Sequence, residues 1–260
     1  MLKKILFISV ILLFASNVAL PEHFPSPQYY GRVILNNYSK KAGVAPVVFD
    51  HWLHRAKFTC RLCHVDIGFA MEAEATDISA AVNMNGYFCG ACHDGKRVIE
   101  DKEIFAACAA EFTKEVEERC ARCHSQGTTG KRKYDFKTFA ENLPRLAGNS
   151  IDWEKAEADW KIKPMDFLED VSFKRDHLKT QKDFSIKVTT WASDVIFSHK
   201  KHVSWNGCEV CHPLIFPSSK KGTAKYTMFQ IMEGEYCGVC HLNVAFSVWL
   251  CAKFHKNHVR

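Results

Sequence analysis

Apolar residues recur at helical spacing over a segment near the middle of this 260-residue chain. Ile104, Cys108, Phe112 and Val116 follow one another every four residues, which predicts a helix over Glu100–Arg119 with a narrow apolar stripe. Because Cys108 lies on that stripe, we interpret it as a small buried hydrophobe rather than as a redox or ligand thiol.

A second, shorter helix is predicted between Ile151 and Ile162. Its apolar residues are three to four positions apart, and Asp152 is a residue type that caps helix N-termini. The surrounding residues, 126–193, are rich in charge and contain Pro144 and Pro164. This part of the chain is therefore predicted to be an extended linker that drapes over one neighbouring unit.

The amino terminus has the pattern of a secretory signal. Lys3 and Lys4 precede an apolar run, Ile5 to Phe14, and small residues follow. We predict a signal peptide over 1–19 and an amino-terminal extension over 20–46, with an uncleaved anchor as the alternative. Later segments fall short of the ~18 apolar residues that a membrane span requires, so the mature chain is expected to lack a transmembrane segment and to be periplasmic or extracellular.

The chemistry of the chain is indicated by five copies of the pattern C-x-x-C-H. They are Cys60-x-x-Cys63-His64, Cys89-x-x-Cys92-His93, Cys120-x-x-Cys123-His124, Cys208-x-x-Cys211-His212 and Cys237-x-x-Cys240-His241. In this pattern both thiols attach haem c covalently, and the histidine is the proximal ligand of its iron. Structural zinc and disulfides are the alternatives, but neither requires histidine at the next position five times.

Five haems, or six, would supply much of the interior that apolar side chains otherwise fill. The predicted fold class is therefore mostly irregular, with short α-helices and few strands around haem. The formal net charge of +6 does not indicate a nucleic-acid partner, because haem propionates offset it.

A shift of 148 positions superimposes the second half of the chain on the first. Phe49, His51, His54 and the first two motifs then coincide with Phe197, His199, His202 and the last two motifs. Repeats of this kind define the architecture. We predict two homologous modules, 47–125 with three haem sites and 194–260 with two intact sites and a degenerate third, separated by the haem-free linker 126–193.

The distal ligands are predicted from the same repeat. A histidine pair kept at identical spacing in both copies is more typical of iron ligands than of isolated structural histidines. The candidates are His51 and His54 in the first module and His199 and His202 in the second.

With these residues the chain resembles the small triheme c-type cytochromes related to the class III multihaem cytochromes, here as a tandem pair. The resemblance covers roughly residues 40–125 and 190–260. It implies that the first histidine of each pair ligates the first haem of its module and the second histidine another haem there. It also implies the role of a periplasmic or extracellular electron carrier.

The chain departs from the family pattern between the first and second motifs of each module, where a further histidine is usual. Residues 65–88 and 213–236 contain none, whereas Met84 and Met232 occupy matching positions there. Thioether ligation by these methionines would raise the potential of a haem. The alternative is that both are apolar filler against porphyrin.

The carboxyl terminus contains a degenerate motif, Cys251-Ala-Lys-Phe254-His255. Phe254 replaces the second cysteine, which predicts loss of the sixth haem. If that haem is retained, His255 is its proximal ligand.

Irons ligated on both faces pass electrons and have no position open for substrate. We therefore predict an electron-transfer protein rather than an enzyme, with a quinol-linked donor and a terminal reductase or outer-surface cytochrome as partners in an anaerobic respiratory chain. The alternatives are a multihaem reductase with an open haem at Cys120–His124, and a filament-forming conductive cytochrome.

Overall fold

The computed structural model describes residues 27–257 apart from 110, 112, 126–134, 147–150, 176–180, 189–191, 218–219, 221 and 223–224. Its α-helices are four to eight residues long and its strands two to four. The α-helices are α1 His51–Arg55, α2 Ala80–Met84, α3 Lys114–Cys120, α4 Phe136–Ala140, α5 Trp153–Ala158, α6 His199–Asn206, α7 Met228–Met232, α8 Gly238–His241 and α9 Cys251–Phe254. The predicted class, mostly irregular with short helices, is confirmed.

The strands form three small antiparallel sheets. The strands are β1 Arg32–Leu35, β2 Val47–Asp50, β3 Val98–Ile99, β4 Lys102–Glu103, β5 Phe184–Ile186, β6 Asp194–Phe197 and β7 His255–Asn257. β1 pairs with β2, β3 with β4, and β6 lies between β5 and β7. Two further short helices are of the 3-10 type, Pro27–Tyr29 and Phe88–Ala91, and one, Leu62–Ile67, is a π-helix.

A strand runs directly into a helix at the start of each module. β2 ends at Asp50 and α1 begins at His51, while β6 ends at Phe197 and α6 begins at His199. In the first module Arg32 of β1 pairs with Asp50 at 2.7 Å and fixes the end of β2. Each predicted histidine pair therefore lies on the first turns of a helix that a sheet holds in place.

The apolar core is divided into two small clusters. The larger one joins Trp52 and Ala56 of the first module to linker residues, namely Ala140, Ile151, Trp153, Ala156 and Ile162. The smaller one contains Phe58, Leu62, Ile99 and Leu168. Among the described residues, the largest apolar side chain that is fully buried is Leu62. Side chains alone therefore supply little of the interior that a chain of this length needs.

The linker is more structured than the sequence predicts. Asp152 caps α5 by accepting a hydrogen bond from the Lys155 amide at 3.0 Å, so the predicted helix within Ile151–Ile162 is confirmed over Trp153–Ala158. α4 was not predicted, and it packs Ala140 into the larger cluster.

Ion pairs connect the linker to both modules rather than to one. Arg175 pairs with Asp66 of the first module and, at 3.6 Å, with Glu209 of the second. Lys201 of α6 pairs with Glu154 of α5.

The helix predicted over Glu100–Arg119 is wrong for most of its length. Glu100 and Asp101 have φ values of 51° and 59°, which turn β3 into β4 and cannot continue a right-handed helix. The carbonyl of Phe105 then accepts a hydrogen bond from His93 Nδ1. The helix begins at Lys114, where Thr113 caps it by accepting from the Val116 amide, and Phe112 lies outside the described residues.

The signal segment 1–19 lies outside the described residues, as does the start of the amino-terminal extension. Within the part of the chain that is described, no helix has the length and apolar character to cross a bilayer.

Candidate haem-binding sites

Three pairs of imidazole rings face each other across gaps of almost the same width. The ring centroids of His51 and His64 are 6.4 Å apart, those of His54 and His93 are 6.3 Å apart, and those of His202 and His241 are 6.3 Å apart. A metal–imidazole bond is about 2 Å long and the ring centre lies about 1 Å further, so two imidazoles that share one metal have centres about 6 Å apart. The spacing fits a ligand pair on one iron.

The hydrogen bonds of the motif histidines leave the same nitrogen free in all five motifs. Each Nδ1 donates to a backbone carbonyl: His64 to Phe69 at 2.9 Å, His93 to Phe105 at 3.2 Å, His124 to Ala45 at 2.5 Å, His212 to Phe216 at 2.7 Å and His241 to Phe246 at 2.7 Å. This bond fixes ring orientation and tautomer, and it leaves Nε2 with a lone pair for a metal.

Three of the four distal candidates are held in the same way. His51 Nδ1 donates to the Gly31 carbonyl at 2.6 Å, His199 Nδ1 to the Lys182 carbonyl at 3.2 Å and His202 Nδ1 to the Ser198 carbonyl at 2.8 Å. The fourth, His54, is buried, and its Nδ1 meets no hydrogen-bond partner among the described residues. Burial lowers the pKa of the His51, His54 and His241 imidazoles to about 4. These rings are therefore neutral near pH 7, as a metal ligand must be.

One phenylalanine in each module orients both distal histidines. The Phe49 ring lies edge-on to His51 at 4.8 Å and against His54 at 4.4 Å. Phe197 does the same for His199 at 4.9 Å and His202 at 4.4 Å. This explains the repeated pattern Phe-x-His-x-x-His, which places one aromatic ring between two side chains of the following helix.

The ten motif cysteines are half-buried and form no disulfide in the described part of the chain. Burial raises the pKa of Cys63, Cys89 and Cys240 to about 12 and that of Cys211 to about 11. A zinc site needs thiolates, and within the described residues no group of three or more His, Cys, Asp and Glu side chains converges on a metal position. Two imidazoles beside a thiol pair instead fit haem c, whose macrocycle supplies the other four ligands.

The second motif of each module requires glycine after its first cysteine. A Cβ on Gly90 would lie 1.8 Å from the Asn83 carbonyl oxygen, and one on Gly238 would lie 2.0 Å from that of Ile231. These contacts seat α2 and α7 directly on the haem motifs. The sequence repeat identified both glycines but not this reason for them.

Several predicted ligands are not brought into a facing pair. Among the described residues, the His124 ring contacts no other histidine ring, and the rings of His199 and His212 do not contact each other. Met84 and Met232 lie at the ends of α2 and α7 with 47% and 43% of their surface exposed, which does not favour iron ligation. Cys251 is exposed and His255 half-buried. All of these assignments stay predictions.

Cys108 is half-buried, and its Sγ lies 3.9 Å from the Asn83 side-chain nitrogen. Burial raises its pKa, and Cys120 adds to the effect. This is the environment of a packed thiol rather than a reactive one.

Arg55 lies where the two modules meet and was not singled out by the sequence. Its guanidinium donates to the Val244 carbonyl of the second module. It also lies over the Trp153 ring of the linker at 4.6 Å and the Trp205 ring of α6 at 5.2 Å. The same cation lowers the pKa of the Cys60 and Cys240 thiols, although their burial raises it more, so one positive charge lies near haem motifs of both modules.

The family model for cytochrome c7 and related cytochrome c matches residues 47–125 and 195–256. Among solved structures, the C-terminal hexaheme fragment of GSU1996 is 25% identical to this chain, with a TM-score of 0.27; the match covers 88% of this chain and 98% of the fragment. The N-terminal hexaheme fragment of GSU1996 is 21% identical, with a TM-score of 0.25; the match covers 88% of this chain and 99% of the fragment. The dodecaheme cytochrome c GSU1996 is 24% identical (TM-score 0.27, 86% and 74%). No curated protein matches.

The repeated motifs and the facing imidazoles define a multihaem c-type cytochrome with tandem triheme-like modules. The chain belongs to the family of cytochrome c7 and related cytochrome c. Haem c is therefore its cofactor, and electron transfer with redox partners is the function of multihaem cytochromes of this family. Such cytochromes are typically exported.

Proposed function

We propose that the five C-x-x-C-H motifs each attach one haem and that the chain relays electrons through them. In this assignment the motif histidines are the proximal ligands. His51, His54 and His202 are distal ligands paired with His64, His93 and His241, and His199 is the distal candidate for His212. The observation that carries the proposal is the recurring centroid distance of 6.3 to 6.4 Å between facing histidines.

Haem c supplies reversible one-electron chemistry when bound, at a potential set by its axial ligands and surroundings. The chain's contribution is to fill both axial positions. In the facing pairs two imidazoles would ligate one iron, and such an iron would leave no position for substrate. This supports a carrier rather than an enzyme.

Cysteines of neighbouring motifs lie close enough to raise one another's pKa. Cys123 adds to the effect of burial on Cys89, and Cys89 to that on Cys63. Cys60, in the same motif as Cys63, adds to that on Cys240 and Cys211 of the second module. Groups attached to these thiols would be neighbours, which supports electron transfer from one module to the other.

The finer role that we propose is in an anaerobic respiratory chain beyond the cytoplasmic membrane. The amino-terminal sequence, with Lys3, Lys4 and the apolar run that follows, supports export. A quinol-linked donor and a terminal reductase or an outer-surface cytochrome would be the partners. The two modules, 47–125 and 194–260, would be joined by a haem-free linker, 126–193, that holds them together through α5 and Arg175.

The third motif of the first module favours a second candidate function. Since His124 lacks a facing histidine among the described residues, the haem at Cys120–His124 is the candidate for an open position, as in a reductase. A conductive filament is the remaining alternative.

The test is the visible spectrum of the full-length holoprotein in both redox states, with and without carbon monoxide, combined with its particle size. The proposal expects low-spin bands and no carbon monoxide adduct from the five motif haems, reversible reduction and a monomer. A high-spin component that binds carbon monoxide and disappears when the attachment site is removed in Cys120→Ala/Cys123→Ala would favour the reductase. Large particles at physiological concentration would favour the filament.

A further inference from the structure

The segment Cys251–His255 has the surroundings of an intact haem motif, Cys120–His124. His124 Nδ1 donates to the Ala45 carbonyl at 2.5 Å, and His255 Nδ1 donates to the Ser193 carbonyl at 2.5 Å. Ala45 and Ser193 are 148 positions apart, the same shift that superimposes the two modules. The structure therefore holds both histidines by the same backbone position of the repeat.

The middle residue of each segment gives a second, independent correspondence. The Arg122 guanidinium lies 3.5 Å above the centroid of the Phe105 ring, and Lys253 Nζ lies 5.9 Å from that of Phe246. The carbonyls of these phenylalanines accept the Nδ1 bonds of the second-motif histidines, His93 and His241. Both segments are thus placed alike against the preceding haem site.

The difference between the segments is one thiol. Phe254 occupies the position of the second cysteine, and its ring packs at 4.9 Å from His241 and at 4.9 Å from Phe246. Cys251 stays exposed at the start of α9. A mostly apolar groove of about 380 Å³ opens beside it, lined by Leu146, Leu250, Cys251, Ala252 and Lys253.

We propose that this segment binds a sixth haem, attached through one thioether at Cys251 and ligated by His255. This reverses the expectation from the sequence, where Phe254 predicted loss of the site, and it rests on the proposed haem attachment at the five intact motifs. The Cys251 thiol adds across one vinyl group: the sulfur bonds to the carbon next to the ring, and the thiol proton goes to the terminal carbon. No group leaves and no oxidant is needed, while the second vinyl stays unsaturated.

The first test is the intact mass of the full-length holoprotein under denaturing conditions. We expect six haems, falling to five in Cys251→Ala and staying at six in Cys108→Ala, the matched loss of a cysteine outside any motif. Five haems in the wild-type protein would overturn the sixth site and leave the electron carrier intact. Zero haems would overturn both.

The second test distinguishes one thioether from two. Each vinyl group that stays unsaturated moves the pyridine haemochrome band to longer wavelength. One haem of the six keeps a vinyl group, so about one sixth of the absorbance of the wild-type band is expected at longer wavelength. Phe254→Cys should remove that component while the mass still shows six haems. If the wild-type protein carries five haems and Phe254→Cys gains the sixth, attachment needs both thiols and the proposal is wrong.

Discussion

The imidazole planes of His51 and His64 are nearly parallel, inclined by 7° to each other, whereas those of His54 and His93 are inclined by 57°. In ferric low-spin haems, parallel axial imidazoles give a rhombic electron paramagnetic resonance signal, and rotated ones a more anisotropic signal. We expect both types in the oxidised holoprotein. The rhombic signal belongs to the site of His51.

Substitution of a distal ligand separates the two signals. His51→Met should remove the rhombic signal and raise the potential of that haem by about 0.1–0.2 V, a fraction of the roughly 0.8 V over which axial ligands set haem potentials. His199→Met, the same change at the equivalent position of the repeat, should leave the rhombic signal in place. A rhombic signal whose intensity is unchanged in His51→Met would contradict the pairing with His64.

Gly90 is expected to tolerate no side chain. Because a Cβ there would lie 1.8 Å from the backbone oxygen of Asn83, Gly90→Ala must displace α2 from the haem motif, at a cost of about 2–4 kcal/mol in the free energy of unfolding. Denaturant titration of the holoprotein measures this.

Gly68→Ala is the matched control for Gly90→Ala. Gly68 has a φ of 91° with open space around it, so its alanine variant has backbone strain alone, about 1–2 kcal/mol. Equal losses in the two variants would contradict the close packing at Gly90.

Arg55 is expected to raise the potential of the haems at Cys60 and Cys240. A buried cation favours the reduced, less positive state, so Arg55→Met should lower these potentials by roughly 70 mV, about the effect of one unit charge at ~10 Å and an effective dielectric of ~20. Spectroscopically monitored redox titration gives the shift.

Arg55→Lys separates charge from packing. Lysine keeps the cation but cannot stack its head group on two rings as arginine does, so this variant should keep the potentials and still loosen the contact with Trp153 and Trp205. Equal potential shifts in the two variants would show that packing, not charge, sets them.

The Asp194 carboxylate makes stability depend on pH. It pairs with Lys187 at 2.7 Å and accepts from the Val188 amide and the Ser185 hydroxyl, and these bonds, that of Lys187 first, lower its pKa below the usual value. Since the folded state then favours the ionised form, the stabilisation is present above the usual carboxyl pKa and is lost as pH falls through the lower folded value. Asp194→Asn should be less stable than wild type at pH 7.

The pH profile of unfolding tests this assignment. The difference between wild type and Asp194→Asn should shrink as pH falls below about 4. Asp159→Asn, which removes the exposed partner of Lys155, should change stability little at any pH. A constant difference across the acid range would mean that charge at Asp194 is not the cause.

The motifs and the repeat could be predicted from sequence because haem chemistry imposes fixed residue spacings. His51 and His54 lie three residues apart on one helix, and Phe49 lies two residues before it at the end of a strand, so their spacing as a group is readable without a structure. The family pattern implies that His54 ligates another haem of its module, but neither its facing partner His93 nor the ring orientation follows from it, because both depend on long-range packing.

The misread segments are those in which a local pattern competes with a distant contact. The stripe from Ile104 to Val116 has helical spacing, yet the turn at Glu100 and Asp101 and the bond from His93 to the Phe105 carbonyl impose another conformation. Arg55 escaped notice for the same reason, since its partners Trp153, Trp205 and Val244 are far from it in the chain.

The correspondence between Cys123 and Phe254 has an evolutionary consequence. Codons for phenylalanine and cysteine differ by a single base, so one point mutation separates the terminal segment from a complete attachment motif. Because Ser193 already holds His255 in place, such a mutation would need no further rearrangement. One base change is therefore all that separates the second thiol of this segment from the Phe254 ring that packs against His241.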